Sequence, residues 1–506
     1  MKIQLSPWQK DLAALLAGGL LTLAFAPFEI FPFAVVALAI LLGTWLRATP
    51  WRAWRRGFLF GIGLFGTGVS WVFTSVHVYG DAPLPFAILV TTGFIMLLAL
   101  FPAYVGYLLN RFFPYATPVK TFCAFPALWV LSEWLRSFIF SGFPWLLIGY
   151  SQTNSPLKGF APILSVFGVS LAVLWSSALL VNAFSYWKQQ QYSLVYRNLL
   201  AFALLWILGS GLCLIHWTKP NGDSLHVSLV QGNIPQEMKW SPESVQFSLE
   251  RYFNLTEPLW EKDKLIIWPE TAIPLTLQQA ESFVDELDEK ARSTQSTLMT
   301  GIPVHNPDGN GYYNALIMLG SKREAYLKHR LVPFGEYLPF PKLIQPILNY
   351  MHIPMSEMIP GNAKMQPLIV NGIKILPFIC YEIAFPEQVL SRDKNIGMLL
   401  TVNNDAWFGH SSAQAQHLQM ARMRAIEMAR PGLFVSNDGI TAIISSDGRI
   451  QSAAPPYEPF VLTDFVQPMK GRTPWQRYAM DPILVIVLAL LFCAFRLRTF
   501  SLRREL

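Results

Sequence analysis

Long apolar runs separated by short polar loops fill the chain up to about residue 217, where the pattern changes. Predominantly apolar runs of about 17 to 25 residues can cross a bilayer as helices, because a helix satisfies its own backbone in lipid. Eight such stretches are predicted, near 11–28, 31–47, 57–77, 85–110, 120–139, 161–187, 198–217 and 478–496. The fifth carries Glu133 and Arg136, three residues apart and therefore on one helix face. The last is short, with Asp481 near its end. Between the seventh and the eighth, short β-branched or aliphatic runs recur at 225–230, 265–268, 297–302, 315–319, 373–379, 398–402, 432–435 and 441–444. Helical patterns at 242–261, 276–292, 384–392 and 413–429 separate them. Strands alternating with helices predict a layered α/β fold.

Composition agrees with two different solvents. Charged residues make up 14% of the 506, against about 25% in an ordinary soluble protein. Up to Trp217 the only acidic residues are Asp11, Glu29, Asp81 and Glu133, whereas residues 221–473 are rich in Asp, Glu, Asn and Gln. The net charge of +7 sits largely in short basic clusters beside the apolar runs: Lys2 and Lys10, then Arg47, Arg52, Arg55 and Arg56, then Arg111 and Lys120, then Lys188 and Arg197, and last Arg496, Arg498, Arg503 and Arg504. With eight spans these clusters all fall on one side, and the positive-inside rule makes that side, with both termini, cytoplasmic. The expected organisation is a transmembrane domain of seven helices over 1–217, an extracytoplasmic domain over 218–477, and a final helix with a basic tail over 478–506. The first apolar stretch has a basic flank but no small-residue cleavage site, and reads as an anchor that stays. No basic stripe suggests nucleic acid, and no internal repeat or low-complexity tract is apparent.

Of four cysteines, Cys123, Cys213 and Cys493 fall in predicted spans, where a small buried residue is the ordinary reading. Cys380 is the only cysteine of the outer domain, so it has no disulfide partner there. It ends an apolar strand and is followed by Tyr381 and Glu382, and strand ends are where α/β folds present reactive groups. A second strand ends in Trp268-Pro269-Glu270, which sets a carboxylate among apolar neighbours, where it can act as a base. In a third segment, Lys328 opens a cationic cluster that runs into the turn Val332-Pro333-Phe334-Gly335-Glu336. A lysine there is held in place. Each segment alone is also compatible with a surface or structural role.

Trp268-Pro269-Glu270-Thr271, then Lys328 with Leu331-Val332-Pro333-Phe334-Gly335-Glu336, then Cys380-Tyr381-Glu382 resembles the Glu-Lys-Cys signature of the nitrilase superfamily, in the same order. Together with the membrane framework, the chain resembles the apolipoprotein N-acyltransferases, the membrane-fused branch of that superfamily. Further stretches carry the likeness: Gln231-Gly232-Asn233-Ile234-Pro235-Gln236 with Trp240, Phe143-Pro144-Trp145, Asn404-Asp405-Ala406-Trp407-Phe408-Gly409, and Arg424-Ala425-Ile426-Glu427. The resemblance implies a membrane helical bundle of about eight helices carrying an α-β-β-α sandwich. It implies a bacterial inner-membrane enzyme, catalytic domain in the periplasm, that moves an acyl chain from a phospholipid to the α-amine of a diacylglyceryl-modified apolipoprotein. It assigns Glu270 as base, Lys328 as oxyanion partner and Cys380 as nucleophile. Glu336, Tyr381 and Glu382 become supporting residues, and Trp240, Trp407 and Trp145 substrate contacts. Tryptophans also gather at membrane interfaces without touching substrate.

Residues 337–358 carry Leu338, Phe340, Leu343, Ile344, Ile347, Leu348 and Met351, more contiguous apolar surface than a soluble face normally shows. An arm that dips into the bilayer is expected there. His305, His329, His352, His410 and His417 show no metal-ligand spacing. The expectation is no metal, no organic cofactor, no nucleic acid and a monomer.

Overall fold

The computed structural model describes residues 6–239, 241–309, 311–339, 341–342, 358–362, 366–390, 393 and 395–502. The chain divides into a helical unit and an α/β unit; the latter comprises Thr74–Pro83 and Trp217–Thr473.

In the helical unit, helices form at each of the eight expected stretches: Pro7–Thr22, Pro32–Trp45, Pro50–Gly68, Leu84–Phe112, Phe125–Arg136, Ala161–Lys188, Tyr192–Cys213 and Asp481–Leu502. Their lengths differ from the apolar runs. Among the described residues three helices are long and apolar enough to cross a membrane: Leu84–Phe112, Pro156–Lys188 and Tyr192–Cys213. Proline explains much of the difference, since it fits the first turn of a helix and ends the element before it. Pro32, Pro50 and Pro126 each stand in a first turn. The apolar run 120–139 is split into a π-helical turn, Lys120–Ala124, and a helix of 12 residues. The run expected over 57–77 breaks after Gly68, with a separate short helix at Val72–His77.

Charges inside this unit hold backbone. Lys120 is fully buried, and its Nζ donates to Asn110 Oδ1 (2.7 Å) and to the carbonyl of Leu46 (3.0 Å), one of the carbonyls a helix C-terminus leaves unpaired. Arg136 Nη1 donates to the carbonyls of Phe143 (3.0 Å) and Trp145 (2.6 Å), while Glu133 Oε1 accepts from the Ile148 amide (2.8 Å) and Trp129 Nε1 (3.3 Å). The irregular segment 143–148 is thus stapled to one helix face.

The α/β unit is built on two six-stranded sheets. One runs Phe460–Val466, Leu225–Gln231, Leu265–Ile267, Thr297–His305, Tyr312–Leu319 and Glu324–Leu327. The other runs Leu368–Val370, Ile373–Ile379, Ile396–Asn403, Gly432–Ser436, Ala442–Ile444 and Ile450–Ala453. Read in these orders, both sheets pair antiparallel, parallel, parallel, antiparallel, antiparallel. The two sheets therefore repeat one pairing pattern, although the sequence showed no repeat, and the edge strand Phe460–Val466 of the first is supplied by the end of the unit.

Side chains alternate along each strand. Leu265 and Ile267 enter a core shared with Ile375, Met398, Leu400 and Val435 of the other sheet. Ile266 and Trp268 point the opposite way and pack with Val284 and Leu287 of the helix Glu281–Thr294. Phe378, Leu399 and Phe434 of the second sheet likewise meet Leu418, Ala421 and Ala425 of the helix Ser412–Met428. Helix, sheet, sheet, helix is the layering the family resemblance implied. A short ribbon pairing Thr218–Pro220 with Met469–Gly471 brings the chain in and out of the unit side by side. Most of 337–358, the expected apolar arm, lies outside the described residues, as does Trp240.

Candidate active site

Glu270, Lys328 and Cys380 each follow the last residue of a strand or stand within three residues of it, and they converge inside the α/β unit. Glu270 comes after Leu265–Ile267, in a turn where Thr271 takes φ +45°. The turn lies directly on Gly301 of the adjacent strand: a Cβ there would come within 2.4 Å of the Thr271 nitrogen and 2.7 Å of the Glu270 Cα. Only glycine lets the carboxylate's backbone approach this closely.

Glu270 is 6% exposed, and both carboxylate oxygens are engaged. Oε1 accepts from Lys328 Nζ (3.2 Å) and Asn314 Nδ2 (2.7 Å), and Oε2 accepts from the Asn404 amide (2.9 Å). Lys328, 1% exposed, also donates to Glu336 Oε1 at 2.7 Å. Glu336 is fixed in turn by Asn314 Nδ2 (3.2 Å) and the Val332 amide (2.8 Å). One ammonium thus bridges two carboxylates, and Asn314 bridges the same two. Burial works to neutralise Lys328, but the charges of Glu270 and Glu336 outweigh it and hold the ammonium above its ordinary range. Burial likewise works to raise Glu270, and the Lys328 charge, the Asn314 hydrogen bond and Lys239 together keep its carboxyl below the usual range.

Cys380 closes the strand Ile373–Ile379 with φ +52°, a left-handed conformation uncommon for a residue with a side chain and a mark of functional turns. Burial raises its thiol well above the ordinary value, and the Glu270 carboxylate adds to this against the opposing charge of Lys328. The sulfur rests protonated. A nucleophile so placed needs a base at the moment of attack.

Glu382, expected as a supporting residue, bonds mainly to backbone amides. Fully buried, it accepts from the amides of His329 (2.8 Å), Arg330 (3.1 Å) and Ile379 (2.8 Å) and from the Tyr326 hydroxyl (2.9 Å). It ties the lysine-bearing segment to the strand that carries Cys380. Tyr381 is 8% exposed with its ring edge-on to Phe385 at 5.0 Å. Trp407 is 39% exposed, its ring edge-on to Tyr79 and its carbonyl accepting from Ser75 Oγ (2.8 Å). Trp145 belongs to the helical unit and is 1% exposed, between Trp71 and the stacked ring of Phe143.

Three polar residues of the site were not picked out from sequence. Asn314 is the one amide in the otherwise apolar or aromatic strand Tyr312–Leu319, and that was its only signal. Lys239 is 2% exposed, donates to the Glu270 carbonyl (3.1 Å), and is pulled down to about 7 by burial, against the raising effects of Glu270, Asp438 and Cys380. His417 lies buried against the Cys380 carbonyl.

Comparison with known proteins shows the family. Residues 17–179 match the apolipoprotein N-acyltransferase N-terminal domain and residues 226–469 match carbon-nitrogen hydrolase. The apolipoprotein N-acyltransferase of Coxiella burnetii is 44% identical over 483 residues, covering 95% of this chain and 99% of its own length. That of Methylococcus capsulatus is 41% identical over 474 residues, covering 94% of this chain and 93% of its own. Among solved structures, the CN-hydrolase superfamily protein XC1258 of Xanthomonas campestris aligns with 49% of this chain and 91% of its own at 19% identity and a TM-score of 0.38. The helical part and the catalytic part are both accounted for along nearly the whole length, and the chain belongs to the apolipoprotein N-acyltransferase family.

Proposed function

We propose that Cys380, Glu270 and Lys328 transfer an acyl chain from a phospholipid to the α-amine of a diacylglyceryl-modified apolipoprotein in two steps. The observation that carries this reading is the buried ammonium of Lys328, clamped between Glu270 and Glu336 in a site whose electrostatics also include the Cys380 sulfur. A fixed positive charge in a dry site stabilises an oxyanion without reorganising, and removing such a donor typically costs about 2.7–4 kcal/mol of barrier.

In the first step Glu270 takes the thiol proton as Sγ bonds to the ester carbon of the phospholipid. The oxygen becomes an anion held by Lys328 and by the amide of Tyr381. Collapse breaks the ester C–O bond, Glu270 returns the proton to the leaving alkoxide, and a lysophospholipid departs from a thioester. In the second step the neutral amine attacks the thioester carbon, Glu270 takes the amine proton, the C–S bond breaks, and Glu270 passes that proton to the leaving sulfur to regenerate the Cys380 thiol. A covalent intermediate lets two bulky lipids use one site in turn.

The supporting roles follow. Glu336 holds Lys328, Glu382 holds the turn, and Trp407 offers a half-exposed aromatic face; Trp240 and Trp145 keep their expected roles as substrate contacts in this proposal. The chain works as a monomer in the bacterial inner membrane through eight spans, with 1–217 and 478–506 in the membrane framework and both termini cytoplasmic. Residues 218–477 then act on the periplasmic side. The basic clusters on alternate loops support this topology. A membrane-tethered amidase would share the triad but leave the membrane framework without a task. Incubating the enzyme with a tagged phospholipid and mapping the label by mass spectrometry separates the two. Label on the Cys380 peptide as a hydroxylamine-sensitive thioester is expected; label absent from that peptide would reject the reading.

A further inference from the structure

Cys380 stands in a left-handed conformation, and something must hold its peptide there. The peptide that follows is planar, so its carbonyl and the Tyr381 N–H point in opposite directions. Whatever fixes the carbonyl also aims the N–H.

That fixing group is His417. Its Nε2 lies 3.1 Å from the Cys380 carbonyl oxygen, and its Nδ1 lies 3.0 Å from Asp405 Oδ1. A carbonyl oxygen only accepts, so Nε2 carries the hydrogen of that bond. Nδ1 and Asp405 then share a second proton between them. His417 is 1% exposed and Asp405 fully buried, and Asp405 Oδ2 has no hydrogen-bond partner among the described residues. The carboxylate side chain is thus committed to the imidazole. Phe434, itself fully buried, meets the ring edge-on at 5.3 Å, and Phe408 does so at 6.5 Å. The helix Ser412–Met428 delivers His417 from one side and the turn Asp405–Phe408 delivers Asp405 from another, so the ring is held at both nitrogens and on its faces.

We propose that His417, oriented by Asp405, is a positioning residue that locks the Cys380–Tyr381 peptide so that the Tyr381 N–H faces the oxyanion. The inference rests on the reading of Cys380 as the nucleophile. A peptide free to rotate would turn its carbonyl toward the same place, setting an acceptor against the developing negative charge. His417 touches neither substrate nor sulfur in this scheme. It acts through the peptide.

Two substitutions separate the two nitrogens of the ring. His417→Gln keeps an amide N–H near the place of Nε2, whereas His417→Asn keeps one only near the place of Nδ1. In the full-length enzyme, thioester formation from a tagged phospholipid should fall roughly a hundredfold in His417→Asn, the usual consequence of losing one oxyanion donor. His417→Gln should stay within about tenfold of the wild type. Alkylation of Cys380 by iodoacetamide passes through no oxyanion, and both variants should match the wild type there, with KM for the phospholipid unchanged. Equal losses in the two variants, or alkylation falling in step with acylation, would overturn the assignment. Should His417→Asn not fold, His417→Gly decides: added imidazole, which can bond the Cys380 carbonyl with one nitrogen and Asp405 with the other, should restore acylation, and 1-methylimidazole, with one of its nitrogens blocked, should not. Rescue by both, or by neither, counts against the clamp. A Cys380→Ala chain that still transfers acyl would reject the nucleophile itself, a failure distinct from either.

Discussion

Both units bury charged side chains, and one cluster in each uses them in opposite ways. In the helical unit Glu133 and Arg136 sit one turn apart, 4% and 5% exposed, and each bonds to main-chain groups of the segment 143–148, with Trp129 Nε1 also donating to Glu133. In the α/β unit Lys328 bonds to both Glu270 and Glu336, and Asn314 joins the same two carboxylates, beside a strained cysteine. Charges that satisfy backbone are fixed by the fold and serve it. Charges that satisfy each other form a polarised cluster whose balance shifts when a proton or an anion arrives. Within that cluster Glu270 and Glu336 keep Lys328 cationic, and Lys328 keeps Glu270 ionised despite burial.

The largest effect should come from Lys328→Met. It removes the oxyanion charge and leaves two carboxylates facing each other in a dry site. Acyl transfer should fall at least a thousandfold. Folding should weaken as well, by about 3–5 kcal/mol, as when one member of a buried ion pair is removed. Activity by product mass and stability by urea titration report the two losses separately. Transfer within tenfold of the wild type would erase the contrast between the units.

Glu270→Gln should come next, with acyl transfer reduced between a hundredfold and ten-thousandfold, the usual range for a lost general base. Its sharper signature is pH. The wild-type thiol is held well above the ordinary 9.0 by burial and by the Glu270 charge. Iodoacetamide alkylation of Cys380 should therefore keep accelerating with pH beyond the point where a free thiol levels off. Glu270→Gln removes a raising charge, so its alkylation profile should move to lower pH even as catalysis collapses. A profile that moves to higher pH would place Glu270 outside the cysteine's field.

How much of this could be read from the chain depends on whether a residue's meaning is local. The α/β layering was legible because short apolar runs such as Leu265–Trp268, buried on both faces, alternate along the chain with helical patterns. Glu270, Lys328 and Cys380 were legible as strand-end polar residues with a shared family signature. Asn314, Lys239 and His417 were not. Each has partners that come from distant parts of the chain, as Asn314 meets Glu270 and Glu336, and His417 meets Cys380. The doubled sheet topology was hidden because pairing order repeats where the sequence does not. Helix lengths were misjudged for another reason: hydropathy registers apolar surface, whereas Pro32, Pro50 and Pro126 decide where a helix begins. Glu382 was legible only as a supporting residue, and which groups it holds was not: its hydrogen bonds run to three backbone amides and Tyr326.

Glu382 occupies the middle of the comparison, a charge inside the catalytic unit used in the manner of the helical one. Gln in its place keeps one acceptor oxygen and turns an NH2 toward amides that need an acceptor. Glu382→Gln should reduce acyl transfer about tenfold, through a misplaced turn, at about 1–3 kcal/mol for the unsatisfied buried amides. Iodoacetamide alkylation at Cys380 should change in the same proportion, since the whole turn moves. Loss of transfer with alkylation untouched would make Glu382 part of the chemistry.

The smallest effect on chemistry should come from Arg136→Met, and it tests the other side of the contrast. Arg136 donates to two carbonyls of an irregular segment, and hydrogen bonds from a charged donor contribute about 1.5–3 kcal/mol each. Methionine fills similar volume and donates nothing, so the carbonyls of Phe143 and Trp145 lose a buried partner. Thermal unfolding in detergent should begin at lower temperature, and the 143–148 segment should exchange its amides faster. Per folded molecule, thioester formation at Cys380 should remain within about twofold, because the bonds of Arg136 to the Phe143 and Trp145 carbonyls fasten a segment and carry no part of the proton or acyl traffic. A large fall in turnover at unchanged stability would mean that Arg136 does more than fasten its segment. The division between charges that serve the fold and charges that serve the reaction would then have to be drawn elsewhere.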